Sequence, residues 1–127
     1  MIVFLGFYKR KPGLTLEQFH KHWREIHGPL IAENPACREH MRRYVQHQIA
    51  PGVPGAQALE YDGFSEAWYE SLEARAQLRL DPRFKIVTDD SPLFLDMSRT
   101  SVQMLDKQIV QIGRDYTQEW MLQKHAQ

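Results

Sequence analysis

The apolar positions along the chain change their spacing several times, and each spacing predicts a different element. Ile2 to Tyr8 is a nearly continuous apolar run, typical of a strand that is covered on both faces. A helical spacing of three and four residues follows, and its apolar stripe contains Leu16, Phe19, Trp23, Ile26 and Leu30. Thr15 and Gln18 resemble a capping box at the start of this helix, and Gly28-Pro29 predicts its end.

Two segments with alternating side chains predict the next strands, Arg42 to Ile49 and Gly63 to Tyr69. The alternation places Tyr44, Gln46 and Gln48 on one face of the first segment, opposite Val45, His47 and Ile49, and places Phe64, Glu66 and Trp68 on one face of the second. Before these strands, Asn34 to His40 is predicted to be irregular. Between them, Pro51 to Gln57 predicts a loop, either a hairpin connection or a rim or lid.

The second half of the chain predicts two helices, a turn, a strand and a tail helix, in that order. Their expected bounds are Ser71 to about Leu80, Asp81-Pro82 through Val87 to near Ser91-Pro92, Phe94 to Asp96, Ser98 to Leu105, and Ile109 to Gln127. We expect the tail helix to pack on the body of the protein or on a partner.

The resulting order of strand, helix, strand, strand, helix, strand predicts an α+β protein. It is the ferredoxin-like βαββαβ pattern, with an antiparallel sheet and both helices on one face. The continuous apolar first strand indicates that the second face of the sheet is buried as well, and in this pattern both helices lie on the first face. We therefore expect a second copy of the chain to pack sheet to sheet, giving a homodimeric α+β barrel.

Length, charge and cysteine content narrow the class of protein. The 127 residues fit one domain, and 16 basic residues balance 16 acidic ones, so charge gives no reason to expect a nucleic-acid or membrane partner. Cys37 is the single cysteine, which excludes an internal disulfide and a zinc site built of thiolates. The first apolar run is too short to span a membrane and precedes its basic residues, so we expect a soluble, cytoplasmic protein.

The predicted first helix carries three histidines at the edges of its apolar stripe. At about 100° per residue, His20 and His27 lie on one flank and His22 on the opposite flank. An imidazole in such a position either hydrogen-bonds a neighbour at the rim of the core or acts as an acid or base toward a small molecule. The spacing between His20 and His27 lacks the i, i+4 geometry of a shared ion, so no metal site is predicted.

Glu66 stands between two large aromatic residues on one face of the predicted third strand. A carboxylate there must be paired or have a raised pKa. It is therefore either an acid or base in a pocket or the partner of an arginine from the neighbouring strand, such as Arg42 or Arg43.

Several motifs together resemble the EthD family of dimeric α+β barrel proteins. They are Lys9 to Gly13 followed by FHKHWREIHGPL at Phe19 to Leu30, Arg43-Tyr44-Val45-Gln46, Tyr61-Asp62-Gly63, Asp81-Pro82, and Phe94-Leu95-Asp96. The resemblance covers about residues 2 to 106, so we expect an EthD-like domain over 1–106 and an extension over 107–127. The family typically reads Gln-Asn-His on the second strand, where this chain has Gln46-His47-Gln48. A role of the family's histidine is not carried over to Gln48, and its replacement by His47 is left open.

The resemblance implies a homodimer with a cavity between each sheet and its helices. In similar proteins that cavity hosts acid/base chemistry without a cofactor, and the histidine at the place of His27 often faces it. Similar proteins include lactone isomerases, polyketide cyclases, dehydratases and decarboxylase-like enzymes. We hypothesise a lyase, cyclase or isomerase acting on a small, hydrophobic, oxygenated substrate. The candidate catalytic residues are His27, Tyr44, Glu66 and His47, and the candidate substrate-binding residues are Phe4, His20, Trp23, Phe64 and Trp68. The alternatives are a non-catalytic accessory or ligand-binding module and a haem-binding barrel.

Overall fold

The computed structural model describes residues 1–55 and 57–113 of the chain. Four strands form one sheet: β1 (Ile2–Tyr8), β2 (Arg43–Gln48), β3 (Gly63–Tyr69) and β4 (Ser101–Met104). The helices are α1 (Leu16–His22), α2 (Gly28–Ala32), α3 (Pro35–His40), α4 (Leu72–Leu80) and α5 (Lys85–Phe94), with a π-helical turn over Trp23–His27 and 3-10 turns over Pro82–Phe84 and Met97–Arg99. The sheet has the order β2-β3-β1-β4, and its neighbouring strands are antiparallel. This is the predicted ferredoxin-like arrangement.

Two of the predicted helix starts are confirmed in atomic detail. Thr15 Oγ1 accepts a hydrogen bond from the Gln18 backbone N–H, and the Gln18 side chain accepts one from the Thr15 N–H. Ser71 Oγ accepts from the Ala74 N–H at the start of α4. Because each cap satisfies backbone N–H groups that have no partner inside the helix, the two starts are defined by the local sequence.

The first helix does not end at Gly28-Pro29, so that prediction is wrong. Pro29 has no N–H to donate, and in a regular α-helix its ring would clash with the carbonyl four residues earlier, that of Glu25. The chain instead forms a π turn, in which the Gly28 N–H bonds the carbonyl of Trp23 five residues before it. The wider turn accommodates the proline, and the chain continues as α2.

Three other predicted boundaries differ from the structure. The segment from Asn34 to His40 is not irregular, because Asn34 Oδ1 caps α3 by accepting from the N–H groups of Ala36 and Cys37. Helix α5 passes through Pro92 and ends at Phe94, whose side chain is 0% exposed, so core packing extends the helix beyond its local stop signal. Strand β4 is shorter than predicted.

The predicted tail helix falls mostly on residues that the structure does not describe. Residues 107–113 contain no helix, and the rest of that prediction, residues 114–127, lies outside the described part of the chain. None of the helices within the described ranges is long and apolar enough to cross a membrane.

The helices cover one face of the sheet through two apolar clusters. The first contains Ile31, Ala36, Cys37, Tyr69, Leu78 and Val87, and the second contains Phe19, Trp23, Phe94 and Leu95. Trp23 packs so closely on Gly63 that an added Cβ there would lie 2.5 Å from the indole ring. The glycine at the start of β3 therefore lets the first helix approach the sheet.

The cross-strand register shows which side chains share each face of the sheet. Ser65, Ala67 and Tyr69 of β3 point toward the helices, and Phe4, Tyr8 and Tyr44 share that helix-covered face. The alternate residues of β3 point the other way, and the second face carries Leu5, Phe7, Val45, His47, Phe64 and Glu66. A shift of one residue in the strand register would thus move a side chain from the helix-covered face to the second face.

Substitutions at Leu78 and Leu80 test how α4 is oriented on the sheet. The Leu78 side chain is 0% exposed, so Leu78→Ala should lower the free energy of unfolding by about 2–5 kcal/mol through loss of apolar contacts and a residual cavity. Leu80 on the same helix is 83% exposed, and Leu80→Ala should change the free energy of unfolding by less than about 0.5 kcal/mol. Urea unfolding followed by circular dichroism measures both, and similar losses in the two variants would contradict this orientation.

Candidate active site

A cavity of about 340 Å³ lies between the helix-covered face of the sheet and the helices. The sheet contributes Phe4, Gly6, Tyr8, Tyr44, Ser65, Ala67, Tyr69 and Val102, and the helices contribute His27, Ile31, Arg75, Arg79, Phe84, Val87, Thr88 and Ser91. Most of these side chains are apolar or aromatic, with a few polar groups among them. That composition is typical of a site for a small organic molecule.

His27 is held on the wall of this cavity by a buried carboxylate. Its Nδ1 lies 2.8 Å from Asp90 Oδ2, and both side chains are buried. Asp90 comes from α5, while His27 ends the π turn of the first helix. A second histidine, His22, places its Nε2 3.0 Å and 3.1 Å from the two carboxylate oxygens of Asp90. Asp90 therefore joins two histidines that are five residues apart in the sequence.

The π turn explains why His22 and His27 meet. In a regular α-helix, residues five apart are about 140° from each other around the axis, which is why the sequence predicted opposite flanks for them. A turn closed by i to i+5 hydrogen bonds brings the two residues to the same side. The prediction that His22 lies apart from His27 is corrected by this local change of helical pitch.

The environment of His27 favours a neutral ring. Burial lowers the pKa of His27, and the hydrogen bond and negative charge of Asp90 oppose this effect only in part. In a neutral imidazole whose Nδ1–H donates to Asp90, Nε2 is the nitrogen with a free lone pair. Among the described residues, Nε2 has no hydrogen-bond partner. His27 thus presents the chemistry of a general base.

Hydroxyl groups line the same cavity from the sheet. Tyr8 Oη lies 3.0 Å from Ser65 Oγ, and Tyr44 Oη accepts a hydrogen bond from Gln46 Nε2 at 3.3 Å. Burial raises the pKa of Tyr8 and of Tyr44. Both phenols therefore stay protonated well above neutral pH and can donate hydrogen bonds to an oxygen in the cavity.

The structure brings three of the predicted site residues together on the cavity wall: His27, Tyr44 and Phe4. Two others from the same helical segment lie elsewhere. His20 Nε2 is 2.9 Å from the carbonyl oxygen of Asp62, and Trp23 is 1% exposed within the apolar core. We therefore do not include His20 and Trp23 among the residues that meet a molecule in this cavity.

The remaining predicted residues lie on the second face of the sheet, so one molecule in the cavity cannot touch them. Glu66 Oε2 pairs with His47 Nε2, and Glu66 Oε1 accepts a hydrogen bond from Trp68 Nε1 at 3.1 Å. The ring of Phe64 stacks on His47 with centroids 4.4 Å apart. Of the two alternatives for Glu66, the structure shows a paired carboxylate, but its partner is His47 and not Arg42, which pairs with Glu70 at 2.8 Å.

Sequence reasoning missed Asp90, Tyr8 and Ser65. A signal for Tyr8 was present, since it lies four residues after Phe4 on the same strand face. Asp90 carried no comparable signal, because it reads as the end of a surface helix and meets His27 across 63 residues of sequence. That contact depends on tertiary packing.

The role of Asp90 can be tested through the ionisation of His27. Since Asp90 raises the pKa of His27 against the effect of burial, Asp90→Asn should lower this pKa further. The neighbouring Asp89 pairs with Lys85 at the surface, so Asp89→Asn should leave it unchanged. NMR titration of the His27 ring nitrogens measures both variants. A raised pKa in Asp90→Asn, or equal shifts in both variants, would contradict the assigned contact.

Comparison with known proteins agrees with this fold. The EthD domain matches residues 11–98. A structure of an EthD family protein from Bacillus halodurans is similar with a TM-score of 0.64 and 19% sequence identity, over 85% of this chain and 100% of that chain. A search of curated proteins found no match.

Two further structures are described as dimeric ferredoxin-like proteins of unknown function. One, from Thermobifida fusca, has a TM-score of 0.58 and 12% identity and covers 82% of this chain and 88% of its own. The other, from Bacteroides fragilis, has a TM-score of 0.62 and 9% identity and covers 84% of this chain and 95% of its own. These likenesses show the fold, whereas the domain match spans more than half of the sequence. The chain belongs to the EthD family.

Proposed function

We propose that this protein is a cofactor-independent lyase, cyclase or isomerase in which His27 transfers a proton of a small, hydrophobic, oxygenated substrate. The observation that carries the proposal is the pair of His27 and buried Asp90 on the wall of an apolar cavity. A general base needs a proton-accepting atom within reach of substrate and a pKa near the working pH. The free Nε2 supplies the first, and the lowered pKa of His27 keeps the ring neutral at pH 7, so that it is able to accept a proton.

In the proposed reaction, His27 Nε2 removes a proton from a carbon next to a carbonyl group. The ring becomes positively charged, and Asp90 stabilises that charge while its hydrogen bond to Nδ1 keeps the ring orientation fixed. The same Nε2–H can return the proton to another atom of the substrate, which gives isomerisation, or to a leaving group, which gives elimination. A well-placed base of this kind contributes about 10²- to 10⁴-fold to the rate.

The negative charge that develops on the carbonyl oxygen needs hydrogen-bond donors. Tyr44 and Tyr8 line the cavity with hydroxyl groups that burial keeps protonated. A preorganised donor aimed at a developing oxyanion stabilises the transition state more than the ground state. We assign the oxyanion to these tyrosines, and Glu66 and His47 take no part because they lie on the other face of the sheet.

The walls of the cavity indicate the class of substrate. Phe4, Ala67 and Val87 supply apolar surface, while Ser65 and Thr88 add hydroxyl groups. The volume of about 340 Å³ lies at the small end of the range for ligand pockets, about 300–1,000 Å³. A compact ring or short chain bearing carbonyl or hydroxyl oxygens fits these properties.

We further propose a homodimer in which two sheets pack through their second faces. Apolar side chains of Leu5, Phe7, Val45 and Phe64 share that face and are half-buried in the single chain. Their burial against a second copy would be favourable in proportion to the apolar area removed from water. Two structural neighbours of the same fold are described as dimeric, which supports a dimer.

Proton exchange tests the catalytic proposal without knowledge of the net reaction. In D₂O, the protein should catalyse deuterium incorporation next to the carbonyl of at least one member of a panel of lactones and aromatic ketones, followed by NMR. His27→Asn should reduce the exchange rate by about 10²- to 10⁴-fold. His40 lies on α3 outside the cavity, so His40→Asn is the matched control and should retain the rate.

The pH dependence gives an independent check. Since burial lowers the pKa of His27, the ring stays neutral below its ordinary value of about 6.5, and the exchange rate should fall only at more acidic pH. Binding of a panel member without exchange in the wild type would favour a ligand-binding module instead.

The proposed dimer predicts that one substitution on the second face lowers the mass of the protein in solution. Leu5→Lys puts a charge on the second face and should shift the species toward the 15.0 kDa of one chain. Leu93 is 60% exposed on α5, so Leu93→Lys should leave the mass unchanged. Size-exclusion chromatography with light scattering measures both. An unshifted dimer in Leu5→Lys would contradict the sheet-to-sheet interface.

A further inference from the structure

Two arginines on α4 border the cavity, and the proposed proton transfer uses neither of them. Arg75 is half-buried and Arg79 is exposed, so this edge of the cavity is reached by solvent. The two are four residues apart, which places them on the same face of the helix. Two like charges at this spacing repel each other and destabilise the helix unless an anion lies between or beside them.

Within the described part of the chain, neither arginine has an ion-pair or hydrogen-bond partner. The acidic residues on either side of α4 are engaged elsewhere, since Glu70 pairs with Arg42 and Asp81 pairs with Arg83. Glu73 lies two residues from Arg75, a spacing at which side chains on a helix do not face each other.

The orientation of Arg75 leaves its donors available. Its guanidinium carbon lies over the Phe4 ring, 3.9 Å from the ring centroid, so the group contacts the aromatic wall of the cavity. The N–H groups lie in the guanidinium plane and stay free for a planar anion. Contact with Phe4 thus fixes the group beside the space where a ligand would sit.

The charges of the two arginines act on the cavity itself. Burial raises the pKa of Tyr69 to about 12, and the positive charges of Arg75 and Arg79 oppose that rise. Arg79 acts in the same direction on Tyr8, which burial also shifts upward. Both side chains therefore lie close enough to influence groups on the cavity wall.

We propose that Arg75 and Arg79 bind a carboxylate of the substrate, so that the ligand is a small apolar acid whose carbonyl end reaches His27. An apolar wall with a cationic edge matches a molecule with one charged end. A guanidinium binds a carboxylate through paired N–H donors, which would fix the orientation of the molecule in the cavity. This inference rests on the proposed function, because it places the substrate in the same cavity.

Binding to matched acids and amides tests the inference. Benzoate, cinnamate and 2-naphthoate are titrated calorimetrically against their neutral carboxamides at low ionic strength. At least one acid should bind about tenfold or more tightly than its amide, as expected for charge-assisted hydrogen bonds. Arg79→Gln should weaken acid binding more than amide binding and so reduce this preference, while Arg79→Lys should retain more of it. Phenyl phosphate should bind no more tightly than benzoate.

A control for net charge is available on the first helix. Arg24 is exposed, and its only ion-pair partner among the described residues is the adjacent Glu25 at 3.6 Å. Arg24→Gln changes the net charge by the same amount as Arg79→Gln and should keep the acid preference. Equal affinity of every acid and its amide in the wild type would overturn the inference. So would equal losses in Arg24→Gln and Arg79→Gln, or a preference for phenyl phosphate.

The two proposals fail in different ways. His27→Asn should slow proton exchange by about 10²- to 10⁴-fold and keep the acid preference, because the arginines and not His27 bind the carboxylate. An acid preference that depends on Arg79 in a protein without proton exchange would refute catalysis and support this inference. Proton exchange that depends on His27, with acids and amides bound equally, would support catalysis and refute the carboxylate site.

Discussion

The hydrogen bond between Asp90 and His27 is the interaction on which the site depends. Asp90 is 7% exposed, and a carboxylate removed from water is costly unless close donors compensate. His22 and His27 supply those donors, and the Phe94 ring packs on both imidazoles with centroids 4.7 Å and 4.9 Å away. The same contact that makes the carboxylate tolerable also fixes the orientation and tautomer of His27. Folding of this corner therefore also fixes the geometry of the proposed base.

That contact requires an uncommon turn in the first helix, and the neighbouring strand supports it. The carbonyl of Trp23 accepts the Gly28 N–H of the π turn and also Gln46 Nε2 from β2 at 2.9 Å. An added Cβ at Gly28 would lie 3.0 Å from that amide nitrogen, so a larger residue would displace the Gln46 side chain that supports the turn. Pro29 disfavours the regular α-helical alternative. Gly28, Pro29 and Gln46 together thus favour the wider turn that aligns the histidines.

Local sequence patterns predicted much of this fold, because caps and alternation act over a few residues. They predicted β3, the start of α4 and the ferredoxin-like order of elements. The position of His27 at the edge of an apolar stripe made it a candidate site residue, and it lies on the cavity wall. A uniform helical period could not show the π turn. Alternation grouped Phe64, Glu66 and Trp68 correctly, yet it could not tell which face of the sheet the helices cover. That choice depends on contacts between distant segments, as does the partner of His27.

Burial alone assigns complementary roles to the ionisable groups of the cavity. A poorly polar environment disfavours charge on any group, so it raises the pKa of Tyr8, Tyr44 and Tyr69 and lowers that of His27. The phenols are thereby kept as proton donors and the imidazole as a proton acceptor. Arginine keeps its charge under the same conditions. A single physical cause thus leaves a base, hydrogen-bond donors and cations around one space, where interactions with a developing negative charge are stronger than in water.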